Sequence, residues 1–133
     1  MNCSGCGINI SCPNGCGVFC TSDCGDCTSW CEPAKVEGLA GETPGVFVRV
    51  TKKGGVQIRV VHAGDKPAAE TYSDSMSFQL SFHDLPRASV ARLISTMHSR
   101  PVRAPKELES ERLSGSATGT VAEIAKKFSL IVG

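Results

Sequence analysis

The sequence predicts an α+β fold in which a small mixed sheet carries two helices and follows a cysteine-rich head stapled by metal ions or disulfides. All eight cysteines lie within residues 3–31. Alternating apolar residues predict strands after residue 45, and two stretches with apolar residues three and four positions apart predict helices. We therefore divide the chain into a head (1–32), a linker rich in Pro and Gly (33–45) and an α+β docking domain (46–133).

The head has too few large apolar residues to fold by hydrophobic burial alone. Its large apolar residues are Ile8, Ile10, Val18, Phe19 and Trp30. Such a segment cannot bury enough surface to offset its loss of conformational entropy. A covalent or metal staple must therefore order it. Because the docking domain contains no cysteine, the sequence also predicts that serine substitutions in the head would leave the melting of that domain nearly unchanged.

The cysteines are the candidate metal ligands. Clustered cysteines indicate metal sites in a reducing compartment and disulfides in an oxidising one. The first residues lack the basic, apolar and small-residue regions of a secretory signal, which predicts a cytoplasmic location and reduced thiols. Two structural zinc ions are favoured, and the alternatives are an iron–sulfur cluster or disulfides without a cofactor. The predicted ligands are Cys3, Cys6, Cys12, Cys16, Cys20, Cys24, Cys27 and Cys31.

The cysteine spacing suggests two sites of four ligands each. The first set is Cys3, Cys6, Cys12 and Cys16, and the second is Cys20, Cys24, Cys27 and Cys31. The pair Cys3 and Cys6, followed by Gly7, is typical of a zinc knuckle. The second set has the spacing i, i+4, i+7 and i+11, which would place four thiols along one face of a helix. A closed four-cysteine site stabilises a fold and leaves no open position for catalysis.

Residues 46–61 predict a β-hairpin. Valine occupies every second position from 46 to 50, and Val56, Ile58 and Val60 repeat this alternation after a Lys-Lys-Gly-Gly turn at 52–55. The apolar edge of this hairpin could add strands to a neighbouring molecule.

A third strand and a helix follow. The strand has an apolar side formed by Met76, Phe78, Leu80 and Phe82. We expect the helix to begin at Asp84-Leu85-Pro86, with Asp84 as its cap and Pro86 in its first turn. Its buried stripe is Val90, Leu93, Ile94 and Met97.

The rest of the chain predicts a short strand, a second helix and a final strand. The short strand lies near residues 113–117 and the final strand at 129–132. Thr120 and Glu123 form the sequence pattern of a capping box, in which each side chain accepts a hydrogen bond from the backbone of the other. The apolar stripe of this helix is Val121, Ile124, Ala125 and Phe128.

Residues 76–132 resemble the short N-terminal domain of secretins and TonB-dependent receptors. The likeness covers the strand Phe78–Pro86, the helix through Val90 and Ile94, the Ser/Gly-bearing segment Leu113–Gly119 and the helix that begins at Thr120. It implies a non-catalytic docking module in cell-envelope secretion or uptake machinery, and hence an envelope-associated location. That family has no cysteine-rich head.

No catalytic residue is assigned. His62, His83 and His98 are far apart in the sequence, and His98, next to the buried helix stripe, is expected to be an ordinary surface or packed histidine and not a catalytic base. The chain contains no Walker loop, no Gly-x-Ser-x-Gly motif and no dinucleotide fingerprint. The sequence therefore favours a protein that is not an enzyme.

The net charge of the chain after the head bears on whether the partner is a nucleic acid. From Ala34 onward, fourteen Lys and Arg residues face ten Asp and Glu residues, a net charge of +4. A modest basic excess is typical of a solvated surface, so nucleic-acid binding is possible but not favoured. No stretch approaches the length of a transmembrane helix. The favoured function is protein–protein assembly, as an adaptor or by self-assembly, with structural zinc in the head. The alternatives are an iron–sulfur or thiol redox carrier and a nucleic-acid-binding protein.

Overall fold

The computed structural model describes the backbone of residues 2–33, 45–51, 56–61 and 72–133, and the side chains of 2–33 and 72–133. These residues form an α+β fold, as predicted. The strands are β1 (Asn2–Gly5), β2 (Ile8–Ser11), β3 (Cys16–Thr21), β4 (Asp26–Cys31), β5 (Gly45–Thr51), β6 (Val56–Val61), β7 (Ser77–Pro86), β8 (Val102–Arg103), β9 (Arg112–Thr120) and β10 (Ile131–Val132). The helices are α1 (Arg87–Ser95) and α2 (Val121–Lys127), with a short 3-10 turn at Lys106–Leu108.

Six strands form one sheet in the order β6-β5-β4-β3-β7-β9, and each neighbouring pair is antiparallel. The cysteine-bearing strands β3 and β4 are its two central strands. Strand β3 pairs with β7, and β4 pairs with β5. The division of the chain at residues 32 and 46 stays a prediction, but residues 16–31 form the middle of a sheet that continues into strands beyond residue 45.

The predicted helix from Cys20 to Cys31 is wrong, because strands β3 and β4 and the turn between them occupy this segment. A spacing of four residues places two side chains on the same side of a strand as well as on the same face of a helix. The pairs Cys16–Cys20 and Cys27–Cys31 therefore fit both structures. The β-branched and aromatic residues between these cysteines favour strands.

One face of the six-stranded sheet carries the helices and the main apolar core. Phe19 of β3, Trp30 of β4 and Phe78 of β7 are buried there, and the rings of Phe19 and Phe78 stack with centroids 4.8 Å apart. All four residues of the predicted stripe are buried: Val90, Leu93 and Ile94 on helix α1, and Met97 in the turn that follows it. The cysteine-bearing strands thus contribute to the same core as the helices.

Strand β7 runs directly into α1, and this corrects the predicted helix start. The strand extends to Pro86, the residue that precedes the helix, and no side chain caps the first turn. Asp84 lies in an irregularity of the β7–β9 pairing between Phe82 and Leu85, with φ of 52°. Its carbonyl oxygen accepts a hydrogen bond of 2.8 Å from Arg112. Asp84 is therefore a bulge residue, because pairing with β9 resumes at Leu85 and keeps the backbone extended beyond it.

The capping box at the start of α2 is confirmed. The Thr120 hydroxyl accepts from the Glu123 backbone N–H at 3.3 Å, and Glu123 Oε1 accepts from the Thr120 backbone N–H at 3.1 Å. Strand β9 is longer than predicted. The final strand, β10, pairs with β8 outside the six-stranded sheet.

The predicted hairpin of residues 46–61 is confirmed as the antiparallel pair β5 and β6, with Val46 opposite Val60 and Val50 opposite Val56. The turn at 52–55, the linker residues 34–44 and the loop around Pro67 lie outside the described residues. Within the described ranges, neither helix has the length and apolar character needed to cross a membrane.

Candidate thiol and metal site

The cysteines form a layer on the sheet face opposite the helices. Residues 16, 18 and 20 of β3 and residue 27 of β4 point to this face, because side chains alternate along a strand. The hairpin β1–β2 contacts β3 and β7. The buried residues of this second cluster are Cys3, Cys12, Cys16, Val18, Cys20 and Cys27. Ile8 and Ile10 of the hairpin pack against them.

All eight cysteines are paired in four disulfides, one of the alternatives that the sequence left open. The bonds join Cys3 to Cys16, Cys6 to Cys24, Cys12 to Cys31 and Cys20 to Cys27. The first three attach the β1–β2 hairpin and its following residue to β3, β4 and the turn between them. The fourth joins residues that lie directly opposite each other in the β3–β4 pair. The disulfides therefore staple the hairpin onto the sheet, and the role of these cysteines as metal ligands stays a prediction.

The sulfur positions differ from the two sets suggested by spacing. Two of the four bonds, Cys6–Cys24 and Cys12–Cys31, join cysteines assigned to different sets. Antiparallel pairing of β3 with β4 explains this difference. It places Cys20 and Cys31, the first and last cysteines of the second set, at opposite ends of the strand pair. Cys16 faces Cys31 at one end of the pair, and Cys20 faces Cys27 at the other.

Three sulfurs form a compact group, and a fourth is bonded to one of them. The Sγ atoms of Cys6, Cys20 and Cys27 all lie within 4.8 Å of one another, and Cys24 is bonded to Cys6. We call Cys6, Cys20, Cys24 and Cys27 the sulfur quartet. It combines two adjacent disulfides on one face of the sheet.

The turn between β3 and β4 positions three members of the quartet. The Thr21 hydroxyl accepts from the backbone N–H groups of Gly25 and Asp26 at 3.1 and 3.2 Å and donates to Asp23 Oδ1 at 2.6 Å. Asp23 Oδ1 also accepts from the Gly25 N–H at 2.9 Å. Short polar side chains commonly close turns in this way. The turn is therefore ordered by hydrogen bonds that do not involve sulfur.

Solvent reaches the quartet from one side. Cys24 is exposed and Cys6 is half-buried, whereas Cys20 and Cys27 are only 0% and 3% exposed. Gln79 of β7 directs its side-chain Nε2 toward Cys24 Sγ at 3.6 Å. Sequence reasoning missed Gln79, and the only signal for it was a polar position in the alternating pattern of β7.

The histidines lie apart from the sulfur layer or on its edge. His98 is buried, and its Nε2 lies 2.9 Å from Asp74 Oδ1 without hydrogen-bond alignment. His83 is exposed at the β7 position opposite Cys16. His62 lies outside the described residues.

Two buried charged residues of the helix-bearing face were not anticipated. Asp26 is 2% exposed, and its Oδ2 accepts a hydrogen bond of 2.9 Å from the Tyr72 hydroxyl. Arg87 at the start of α1 is 7% exposed and donates to the carbonyl oxygens of Phe128 and Leu108. These contacts join segments of the fold, which is a structural role.

Comparisons of the chain with protein-family models, curated proteins and solved structures find no match in any of the three.

Proposed function

We propose that this protein is a non-catalytic assembly protein that docks an extended, acidic segment of a partner protein onto β9. The observation that carries this proposal is the position of β9 at an edge of the sheet. Within the described residues its strand neighbour is β7 alone. An edge strand offers backbone groups to an added strand, and strand addition is a recurring mode of peptide recognition.

The outward-facing backbone groups of β9 can be identified. In an antiparallel pair, the N–H and C=O of one residue point to the same side, and those of the next residue point to the other. The Ser116 carbonyl accepts from Lys127 Nζ at 2.6 Å, and the Thr120 N–H donates to the Glu123 side chain. Both groups point away from β7. By the same alternation, the backbone groups of Ser114 and Thr118 also face outward.

Charge near this edge favours an acidic partner. Lys126 and Lys127 are exposed in the last turn of α2, which follows β9 directly. An added strand would take over the Ser116 carbonyl and release the Lys127 ammonium group. A carboxylate on the added segment could then pair with that ammonium group. Lysines at sheet edges also discourage indiscriminate pairing, so this contact favours selective docking.

The face of β9 that points toward the hairpin provides room for side chains. A cleft of about 150 Å³ lies between β1, β7 and β9 and is lined by Ser4, Gln79, Ser81, Ser116, Thr118 and four neighbouring apolar or small residues, together with Cys20. Its hydroxyl and amide groups suit polar side chains of a docked strand. In this proposal the disulfide-stapled hairpin has a structural role as one wall of the cleft.

The resemblance of residues 76–132 to secretin and TonB-type N-terminal domains agrees with a docking role and would place it in cell-envelope machinery. Structural zinc in the head, which the cysteine spacing favours, would require these disulfides to be reduced first. No contact of the described residues favours an iron–sulfur carrier or nucleic-acid binding over strand addition.

Fluorescence anisotropy with a short labelled peptide of alternating valine and glutamate tests the proposal. The Ser116→Pro variant removes the outward N–H of Ser116 without removing a bond to β7, and Ser116→Ala is the matched control that keeps this N–H. We expect saturable binding to the wild type and Ser116→Ala, and at least about tenfold weaker binding to Ser116→Pro, equivalent to about 1.4 kcal/mol. A matched lysine peptide should bind less tightly.

Equal peptide binding by Ser116→Pro and Ser116→Ala would contradict docking on β9. A thermal melt of each variant verifies that the fold is retained. Sedimentation without peptide gives a second check. A stable dimer lost in Ser116→Pro would show that a second copy of this chain, and not an acidic partner, occupies the edge.

A further inference from the structure

We propose that the sulfur quartet becomes a four-thiolate site for Zn²⁺ when its two disulfides are reduced. The inference rests on the positions of Cys6, Cys20, Cys24 and Cys27 and does not depend on strand addition to β9. It replaces the two sets of four suggested by spacing with one defined set.

Three of the four sulfur atoms need only small displacements to bind a tetrahedral ion, and the fourth must rotate into place. A Zn–S bond of about 2.3 Å implies sulfur atoms about 3.8 Å apart in a tetrahedral four-cysteine site. The Sγ atoms of Cys6, Cys20 and Cys27 already lie within 4.8 Å of one another. Reduction frees Cys24 from Cys6, and a rotation of the exposed Cys24 side chain supplies the fourth ligand.

Contacts other than these two disulfides also hold the backbone around the quartet. Hydrogen bonds from Thr21 and Asp23 order the turn that carries Cys24, and pairing of β3 with β4 holds Cys20 opposite Cys27. Cys6 lies in the turn of the β1–β2 hairpin, with φ of 50°. The disulfides Cys3–Cys16 and Cys12–Cys31 keep this hairpin attached to the sheet.

The difference in solvent exposure between the two disulfides determines the order in which they are reduced. A thiolate of an external dithiol attacks the exposed Cys24 Sγ, forms a mixed disulfide and releases Cys6 as a thiolate. The second thiol of the reductant then releases Cys24 and leaves the reductant as a disulfide. The Cys6 thiolate attacks the buried Cys20–Cys27 bond, forming a bond to one sulfur and releasing the other as a thiolate.

A second dithiol reduces the new bond at the half-buried Cys6. Two dithiols thus supply four electrons and four protons to two disulfides. Binding of Zn²⁺ by four thiolates then releases four protons in total. Reduction of the buried Cys20–Cys27 disulfide therefore depends on prior reduction of the exposed Cys6–Cys24 disulfide. In the reduced quartet, one metal ion replaces these two covalent bonds as the crosslink.

Cobalt spectroscopy under anaerobic conditions tests this inference. The full chain is treated with a limiting amount of phosphine. The phosphine reduces each disulfide to two thiols and is itself oxidised to a phosphine oxide, with the oxygen atom coming from water. Alkylation and mass mapping of one sample then identify the opened bonds, and Co²⁺ is added to a second sample that has not been alkylated. We expect the two disulfides of the quartet to open before the other two, and one Co²⁺ per chain with the intense visible bands of a tetrahedral tetrathiolate. Zn²⁺ should displace the Co²⁺ and abolish the bands.

Single serine substitutions assign the ligands. After the limited reduction described above, Cys20→Ser and Cys24→Ser should each lose the tetrathiolate spectrum of this site, whereas Cys12→Ser and Cys31→Ser should retain it. The near-UV circular dichroism of Trp30, the sole tryptophan, reports whether each metal-loaded variant retains the packed core.

The inference is overturned if the tetrathiolate spectrum survives Cys20→Ser or Cys24→Ser. It is equally overturned if reduced wild-type protein with the native Trp30 signal binds no Co²⁺, or if a reduced chain that has lost this signal neither binds Co²⁺ nor regains the signal when it is added. These results are independent of the peptide assay, so failure of the metal site and failure of strand docking are distinguishable.

Discussion

Gly15 packs against the backbone of Asp84 at the irregularity in β7. A β-carbon at Gly15 would overlap the Asp84 carbonyl oxygen and lie 3.2 Å from the carbonyl oxygen of His83. Gly15 also has φ of 120°, a conformation that residues with a β-carbon rarely adopt. We expect Gly15→Ala to lower the free energy of unfolding of the oxidised protein by about 2–4 kcal/mol, as measured by urea denaturation.

Gly7→Ala is the matched control for this prediction. Gly7 also has positive φ, 79°, but a β-carbon there would have no atom within 4 Å. Only the conformational cost of about 1 kcal/mol is expected. An equal decrease in the free energy of unfolding of the two variants would show that the close contact between Gly15 and Asp84 does not affect stability.

Loss of the Cys20–Cys27 disulfide should destabilise the whole described fold. Because Phe19 and Trp30 on the cysteine-bearing strands are buried in the core shared with α1, we expect one cooperative transition. The Cys20→Ala/Cys27→Ala variant should lose about 2–4 kcal/mol. Trp30 fluorescence and far-UV circular dichroism should give coincident midpoints. Two separate midpoints would instead support the independence of head and docking domain predicted from the sequence.

The Arg87 guanidinium should be a major source of stability. Its Nε donates to the Phe128 carbonyl at 2.9 Å and its Nη1 to the Leu108 carbonyl at 3.2 Å, while Nη1 lies 3.3 Å from Glu111 Oε2. Arg87→Met retains much of the apolar volume but leaves these acceptors unpaired, at an expected cost of about 2–4 kcal/mol. The exposed Arg103→Met control should change the unfolding free energy by less than about 0.5 kcal/mol. Similar effects of the two substitutions in urea denaturation would contradict this role.

The capping box should stabilise α2 to a modest extent. Thr120→Ala removes the acceptor of the Glu123 backbone N–H and should cost about 1 kcal/mol. Thr118→Ala, at an exposed position two residues earlier on β9, is the control. Thermal melting followed at the helical circular-dichroism band distinguishes the two variants, and a Thr120→Ala protein as stable as the control would show that the cap is dispensable.

Gln79 should tune the proposed metal site. Its side chain donates toward Cys24 Sγ, and a donor of this kind stabilises thiolate charge. We expect Gln79→Ala to weaken Zn²⁺ binding by the reduced protein by at least about tenfold, measured by competition with a chromophoric chelator. Ser81→Ala, on the same face of β7, is the control. An unchanged Zn²⁺ affinity in Gln79→Ala would show that Gln79 does not contribute to Zn²⁺ binding.

The elements that the sequence predicted well are those specified by local patterns. The alternation from Phe78 to Phe82, the helical stripe from Val90 to Ile94 and the capping box at Thr120 each depend on residues close together in the chain. A periodic pattern of apolar residues or a capping motif can be identified from the local sequence alone, without information on the rest of the fold.

The cysteine-bearing strands were missed because a spacing of four residues fits both a helix and a strand, and because the outer neighbour of each strand is distant in the sequence. Cys16 pairs with His83, and Cys27 pairs with Val50 across the β4–β5 pair. Eight cysteines also allow about 105 disulfide connectivities, so spacing alone could not identify which sulfurs meet. The quartet therefore follows from sheet topology and could not have been derived from the intervals between cysteines.

The central position of β3 and β4 has a consequence for biosynthesis. A growing chain would expose all eight thiols after residue 31, well before β7 is available to cover one side of β3. Until then these thiols lack the scaffold that selects their partners, and they are open to mispairing. We expect the correct bonds to accumulate only after residues 77–86 have been synthesised, so that a later segment of the chain acts as the template for crosslinks in an earlier one.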